Sequence, residues 1–216
     1  MFGHALAVAL ALLAGVGWGQ VGQEEGIGVA DGKGSFYSVT NRHAGNDYFQ
    51  LTKLGLSGGL LWNVGYDPRA DAQATAVAVD REGNLLVTGT QVVQDHKVVL
   101  LVKYSPYGAL LWTRTQDAGG SPMPTSVAVD ADGNAYVAAT VSDDQGSFVR
   151  VFRYGSLGAY FWAQNFRAGR SSYPRGLSID PSGDARTTVD ISFGDLSTGV
   201  QTRQVLFTTY GAVVPQ

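Results

Sequence analysis

Three aspartates, Asp80, Asp130 and Asp180, stand 50 residues apart, and three cations, Lys53, Lys103 and Arg153, keep the same step. Recurrent carboxylates could bind calcium, and Asp130-Ala-Asp132-Gly133-Asn134 has the alternating oxygens with which a calcium loop begins. Calcium takes roughly six to eight oxygens, however, and a distal Glu is missing here. The matching turns Asp80-Arg-Glu-Gly83 and Asp180-Pro-Ser-Gly183 also lose the second aspartate. A turn closed by an aspartate side chain accounts for all three. A ring of cations could hold an anion in a central channel. Leu206 breaks that ring in the fourth repeat, so the cations are expected to be solvated or paired with the recurring aspartates.

Candidates for catalysis are few. His4, His43 and His96 occur singly, without metal-ligand spacing. The sequence has no Gly-x-Ser-x-Gly elbow, no phosphate-cradling glycine loop and no cysteine. Asp143, Asp144, Asp190 and Asp195 would serve glycoside chemistry only if the fold brought two of them together. The sequence therefore assigns no catalytic residue, no cofactor-binding residue, no metal ligand and no cofactor.

The elements that would position these groups follow from the repeat. Trp62, Trp112 and Trp162 keep the 50-residue step, each four residues after a glycine: Gly58, Gly108 and Gly158. Aromatic faces in series could line a ligand groove, but a large residue at one fixed place in every unit is what packing between units requires. In the third unit, Thr125 to Val129 is followed by the turn Asp130-Ala-Asp-Gly-Asn134, and strands are expected at 135–141, 148–154 and 159–166. No run between turns has helical periodicity, so the class is all-β. Four short antiparallel strands per unit at this step match a propeller blade, giving about four blades.

The unit consensus, Val-Ala-Val-Asp-x-x-Gly-Asn followed by a strand and Lys-Tyr-x-x-x-Gly-x-x-x-Trp, resembles the SBBP beta-propeller repeats of bacteria. The segment Tyr104-Ser-Pro-Tyr-Gly108-Ala-Leu-Leu-Trp112 is also similar to the tryptophan-docking repeat of PQQ-type propellers, among them the outer-membrane assembly scaffold BamB. The resemblance covers the second and third units well and implies a propeller used for binding or scaffolding.

The outer units depart from the pattern. The first has only a loose Val29-Ala-Asp-Gly-Lys-Gly34 at its first turn, and the fourth carries a three-residue insertion that brings Pro215 to the expected tryptophan place. The chain stops within its last strand. A closed four-bladed ring, an open arc covered by a second copy and a fragment of a longer ancestral ring are all compatible with this, and an open arc with uncovered apolar faces would call for a homo-oligomer.

Residues 1–20 read as a secretory signal peptide: an apolar run from Ala5 to Val16, too short to span a bilayer, precedes Gly17-Trp18-Gly19. The repeat domain is then 21–216, in units of about 21–70, 71–120, 121–170 and 171–216. A net charge of -3 gives no cationic footprint for nucleic acid, and no membrane insertion is expected once the signal is removed. The expectation is a non-enzymatic propeller, secreted or in the periplasm or cell envelope, binding an unknown protein or glycan. The alternatives are a propeller enzyme acting on extracellular polysaccharide, hydrolase or lyase, or a BamB-like assembly scaffold. Two or more acids converging on one face would favour the enzyme.

Overall fold

The computed structural model describes residues 26–194 and 199–215. The expected signal peptide with His4, and the carboxylate Asp195, lie outside the described residues. Every described element is a strand. The first unit comprises β1 (Ile27–Ala30), β2 (Phe36–Ala44), β3 (Asn46–Leu54) and β4 (Leu60–Tyr66). The second comprises β5 (Ala72–Val79), β6 (Leu85–Val93), β7 (His96–Tyr104) and β8 (Leu110–Gln116). The third comprises β9 (Ser121–Val129), β10 (Ala135–Asp143), β11 (Gly146–Tyr154) and β12 (Tyr160–Phe166). In the fourth the innermost strand is broken into β13 (Ser171–Pro174) and β14 (Ser178–Ile179), followed by β15 (Ala185–Ser192), β16 (Val200–Phe207) and β17 (Val213–Pro215).

Within the first three units the strands pair antiparallel in chain order; in the fourth, β13 and β14 both pair with β15, and a parallel bridge from Ser147 to Ser171 ties the third unit to the fourth. Up-and-down order puts the first and third turns of every unit at one end of the sheets. The second turns and the crossovers to the next unit lie at the other.

Burial explains the sequence of each strand. In the middle units β6, β7, β10 and β11 read as nearly unbroken apolar runs, such as Leu85-Leu-Val87 and Val98-Val-Leu-Leu-Val102, and these residues are buried because a neighbouring sheet covers each face. Three core clusters result, joining the first unit to the second, the second to the third and the third to the fourth. Among the described residues no cluster joins the fourth to the first.

The outer units instead alternate with period two. Tyr37, Val39, Phe49 and Leu51 pack against the second unit, while Ser38, Thr40, Gln50 and Thr52 occupy the other face. There Gln50 Nε2 donates to Asn63 Oδ1 at 2.7 Å, and Asn63 Nδ2 donates to Thr52 Oγ1 at 2.9 Å. In the fourth unit Val189, Ile191, Val205 and Phe207 face the third, leaving Arg186, Thr188, Thr202 and Gln204 on the far side. On that side Thr202 donates to Asp190 at 3.0 Å, and Arg175 pairs with the same carboxylate. Both outer faces are thus largely polar, with Val200 and Val214 as exposed apolar side chains on the fourth unit's far side.

Candidate functional site

The repeated aspartates close the first turn of each unit. Asp80 Oδ1 accepts the backbone N–H of Glu82 (3.0 Å) and Asn84 (2.8 Å). Asp130 takes those of Asp132 and Asn134, and Asp180 those of Ser182 and Asp184. Asp31 does the same with Lys33 (2.7 Å) and Ser35 (2.9 Å), so the first unit has the turn that its sequence seemed to lack. It escaped notice because it stands 49 rather than 50 positions before Asp80. Among the described residues no group of His, Cys, Asp or Glu could hold a metal ion.

The repeated cations and tryptophans form one device. Each tryptophan is the cross-strand partner of its unit's cation: Lys53 with Trp62, Lys103 with Trp112, Arg153 with Trp162. Both then donate to a single carbonyl in the third turn of the next unit. Trp62 Nε1 and Lys53 Nζ reach Pro106 O at 2.9 and 3.1 Å. Trp112 and Lys103 reach Ser156 O at 3.2 and 3.3 Å, and Trp162 and Arg153 reach Thr209 O at 3.0 and 3.2 Å. A carbonyl has two lone pairs, so it satisfies both donors. The repeated glycine lies against the preceding unit's indole: a Cβ on Gly108 would sit 3.1 Å from Trp62, and one on Gly158 3.0 Å from Trp112. The tryptophans are therefore packing residues, and the cations are neither solvated nor a ring around an anion. The fourth unit receives this lock without passing it on, since Leu206 replaces the cation. Val214, not Pro215, stands opposite Leu206, because β16 and β17 pair without the register shift found in the other units.

A tyrosine completes the lock at two of the three interfaces. Tyr37 OH donates to Gly83 O at 2.9 Å, its ring lying edge-on to Trp62 with Lys53 4.9 Å from its centroid. Tyr136 OH donates to Gly183 O at 2.7 Å, between Trp162 and Arg153. In the second unit Leu86 takes this place, opposite Lys103 in register as Tyr37 is opposite Lys53. Without a ring to lie over, Lys103 forms a buried ion pair with Asp80 at 2.9 Å. Burial would raise the Asp80 carboxyl, but hydrogen bonds from Asn84 and Lys103 outweigh it and hold it below the ordinary carboxylate value.

A groove opens at this interface. A cavity of about 920 Å³ between the second and third units is lined by Asp80, Glu82, Lys103, Trp112, Asp132 and Gly133 among others. It adjoins a cavity of about 400 Å³ at the ends of the inner strands, where Asp80, Asp130, Asp132 and Asp180 converge with Arg81 and Arg153. The two share Asp80, Arg81, Ala131 and Asp132. Asp80, Asp130 and Asp180 are taken up by their turns. Glu82 and Asp132 are exposed and face the groove, Glu82 accepting one bond from Asn84 at 3.1 Å. Burial pushes the phenols of Tyr104 and Tyr154 far up, so neither accepts a proton near neutrality.

The acids singled out in the sequence do not build this site. Asp143 pairs with Arg167 at the opposite end, Asp190 pairs with Arg175, and Asp144 is exposed. His43 Nδ1 lies 2.7 Å from Asp47, also at the opposite end, and His96 is exposed. Glu82, Arg81 and Leu86 went unremarked: the first two vary from unit to unit, and Leu86 is informative only when aligned with Tyr37 and Tyr136.

No family model matches the sequence and no curated protein does, so the SBBP and BamB resemblances rest on their motifs alone. Among solved structures the chain is similar to an ulvan lyase of the PL25 polysaccharide lyase family, with TM-score 0.55 and 12% identity over 93% of this chain and 59% of that one. It is also similar to the lignostilbene dioxygenase of Pseudomonas brassicacearum, with TM-score 0.52 and 13% identity over 83% of this chain and 45% of that one. The chain thus spans less than two thirds of either protein. At such identity the likeness shows the fold alone, an all-β, β-propeller-like array. It also corrects the expectation of a non-enzymatic protein. That expectation rested on fold analogy, and these two similar structures are enzymes.

Proposed function

We propose that this chain is an exported, propeller-type enzyme that cleaves a polysaccharide in the groove between its second and third units. One observation carries the reading: Glu82 and Asp132, neither consumed by the turn that holds it, line one groove with the indole of Trp112 and the exposed side chains of Leu111 and Leu157. Glycoside hydrolysis needs two carboxyl groups, one to protonate the leaving oxygen and one to activate water or attack the anomeric carbon. Apolar surface beside polar groups is what the two faces of a sugar ring require. The likeness to a polysaccharide lyase supports the substrate class.

Hydrolysis of a neutral chain is favoured over elimination from an acidic one. Elimination needs a cation to hold the uronate carboxylate, and two of the groove's three cations have other partners while the third, Arg81, is exposed. Lys103 is bound to Asp80 and Ser156, and Arg114 Nε donates to Gly158 O at 2.6 Å.

The test is to incubate the purified protein with neutral and uronate-containing polysaccharides, following new reducing ends and the ultraviolet absorbance of unsaturated uronates. Reducing ends without absorbance, lost in both Glu82→Gln and Asp132→Asn, are the expected result. Absorbance appearing with the reducing ends would replace hydrolysis by elimination, and no cleavage of any polymer would overturn the reading.

A further inference from the structure

We infer that Leu86 opens a subsite for one pyranose ring, held in the place that a tyrosine ring fills at the two neighbouring interfaces. The inference deepens the polysaccharide reading and rests on it for the identity of the ligand. Three groups surround the tyrosine where it is present: the cross-strand cation, the tryptophan of the same unit and the glycine carbonyl of the next unit's first turn. Their counterparts here, Lys103, Trp112 and Gly133, all line the 920 Å³ cavity. Leu86 is fully buried in the core shared by the second and third units and has no hydroxyl to give to Gly133.

What the interface lacks is a six-membered ring that offers an apolar surface and a hydroxyl at its edge. A pyranose supplies both, with an apolar face for the Trp112 indole and hydroxyls for the Gly133 carbonyl. The remaining lining separates a sugar from a phenol. Glu82 and Asp132, which are not consumed by their turns, bring two carboxylates to the same cavity, where a sugar has a hydroxyl for each and a phenol has only one.

The other interfaces serve as internal controls. Trp62 and Trp162 are covered by Tyr37 and Tyr136, and only Trp112 lacks a tyrosine against it. Cello-, xylo- and manno-hexaose, with p-cresol as a mimic of the missing side chain, are titrated into the isotopically labelled protein while the indole N–H signals are followed by NMR. The expected result is that at least one hexaose moves the Trp112 signal and leaves those of Trp62 and Trp162 in place. Equal movement of all three, or of none, overturns the subsite. A response to p-cresol alone overturns its assignment to a sugar.

Leu86→Tyr tests the same point through the fold's own geometry. The variant is expected to retain the wild-type melting temperature or exceed it, and to bind the hexaose about tenfold or more weakly. Unchanged affinity in the folded variant overturns the inference. Because binding is read without cleavage, failure of the catalytic reading is separable: hexaose binding that Leu86→Tyr abolishes, in a protein that cleaves nothing, keeps the subsite and removes the enzyme.

Discussion

The indole of Trp62 donates to the carbonyl of Pro106, 44 residues away, at 2.9 Å. That bond crosses from one sheet to the next, and its two counterparts do the same. The 50-residue step is therefore the spacing of a contact between units as well as a packing period. Trp62→Phe removes one donor from a carbonyl that Lys53 still engages, and should destabilise by about 1 kcal/mol. Trp112→Ala also removes the packed ring and should destabilise by about 3–5 kcal/mol. Urea unfolding measures both, and equal losses in the two variants would show that the hydrogen bond, not the ring, dominates.

The Asp80–Lys103 pair predicts a defined response to acid. Removing Asp80 alone strands a buried ammonium, so Asp80→Ala should destabilise by about 3–5 kcal/mol. The folded carboxyl ionises below its unfolded value of about 3.9. Its contribution is therefore complete above that pH and is lost as the pH falls through the depressed folded value. Thermal unfolding followed from pH 6 to pH 2 should show a smaller acid-induced loss in Asp80→Asn than in wild type. Superimposable curves would remove this pair from the acid response.

Gly158 is held at φ +82° with Trp112 and Arg114 against it. Gly158→Ala should destabilise by about 1–3 kcal/mol, through the left-handed backbone and the crowded Cβ together. Gly45, also left-handed at φ +88° but with open space around it, separates the two causes. A smaller loss on alanine substitution there is expected, and equal losses would assign the whole effect to the backbone.

Polar outer faces on the first and fourth sheets predict a monomer. Light scattering coupled to size exclusion should return the mass of a single chain at micromolar concentration. A dimer would mean that the Gln50–Asn63–Thr52 face or the Arg175–Asp190 face is an interface rather than a finish.

Glu82→Gln and Asp132→Asn should each slow polysaccharide cleavage by about 100- to 10,000-fold. Neither carboxylate supports the fold as Asp80 does, so the melting temperature should stay within about 1 °C of wild type in both, in line with surface substitutions. A large loss of stability in either would move that residue from the chemistry to the turn.

Much of the fold was legible because turns and indoles repeat in register. The strands of the third unit follow from the spacing of Asp130, Gly133 and Trp162 and a period-two pattern. The finished ends were legible too and were missed: Tyr37-Ser-Val-Thr40 alternates where Leu85-Leu-Val-Thr88 does not, and that difference marks a solvated face. The shared carbonyl could not be read, because cation and tryptophan lie nine positions apart and their common acceptor belongs to another unit. The site was hidden for a different reason. Glu82, Leu86 and Asp132 are deviations from the repeat, and a search for what recurs passes over what does not.

The lock has a direction, with donors always in one unit and the acceptor in its successor. A copy of residues 71–120 spliced between the second and third units would match every donor to an acceptor and lengthen the array by one sheet. The same copy appended after the fourth unit would meet Leu206 and Val214, which have nothing to offer its turn carbonyl. Growth of this architecture by duplication is blocked beyond the fourth unit as long as Leu206 and Val214 stand there, and an engineer who wants a longer groove should insert upstream of it.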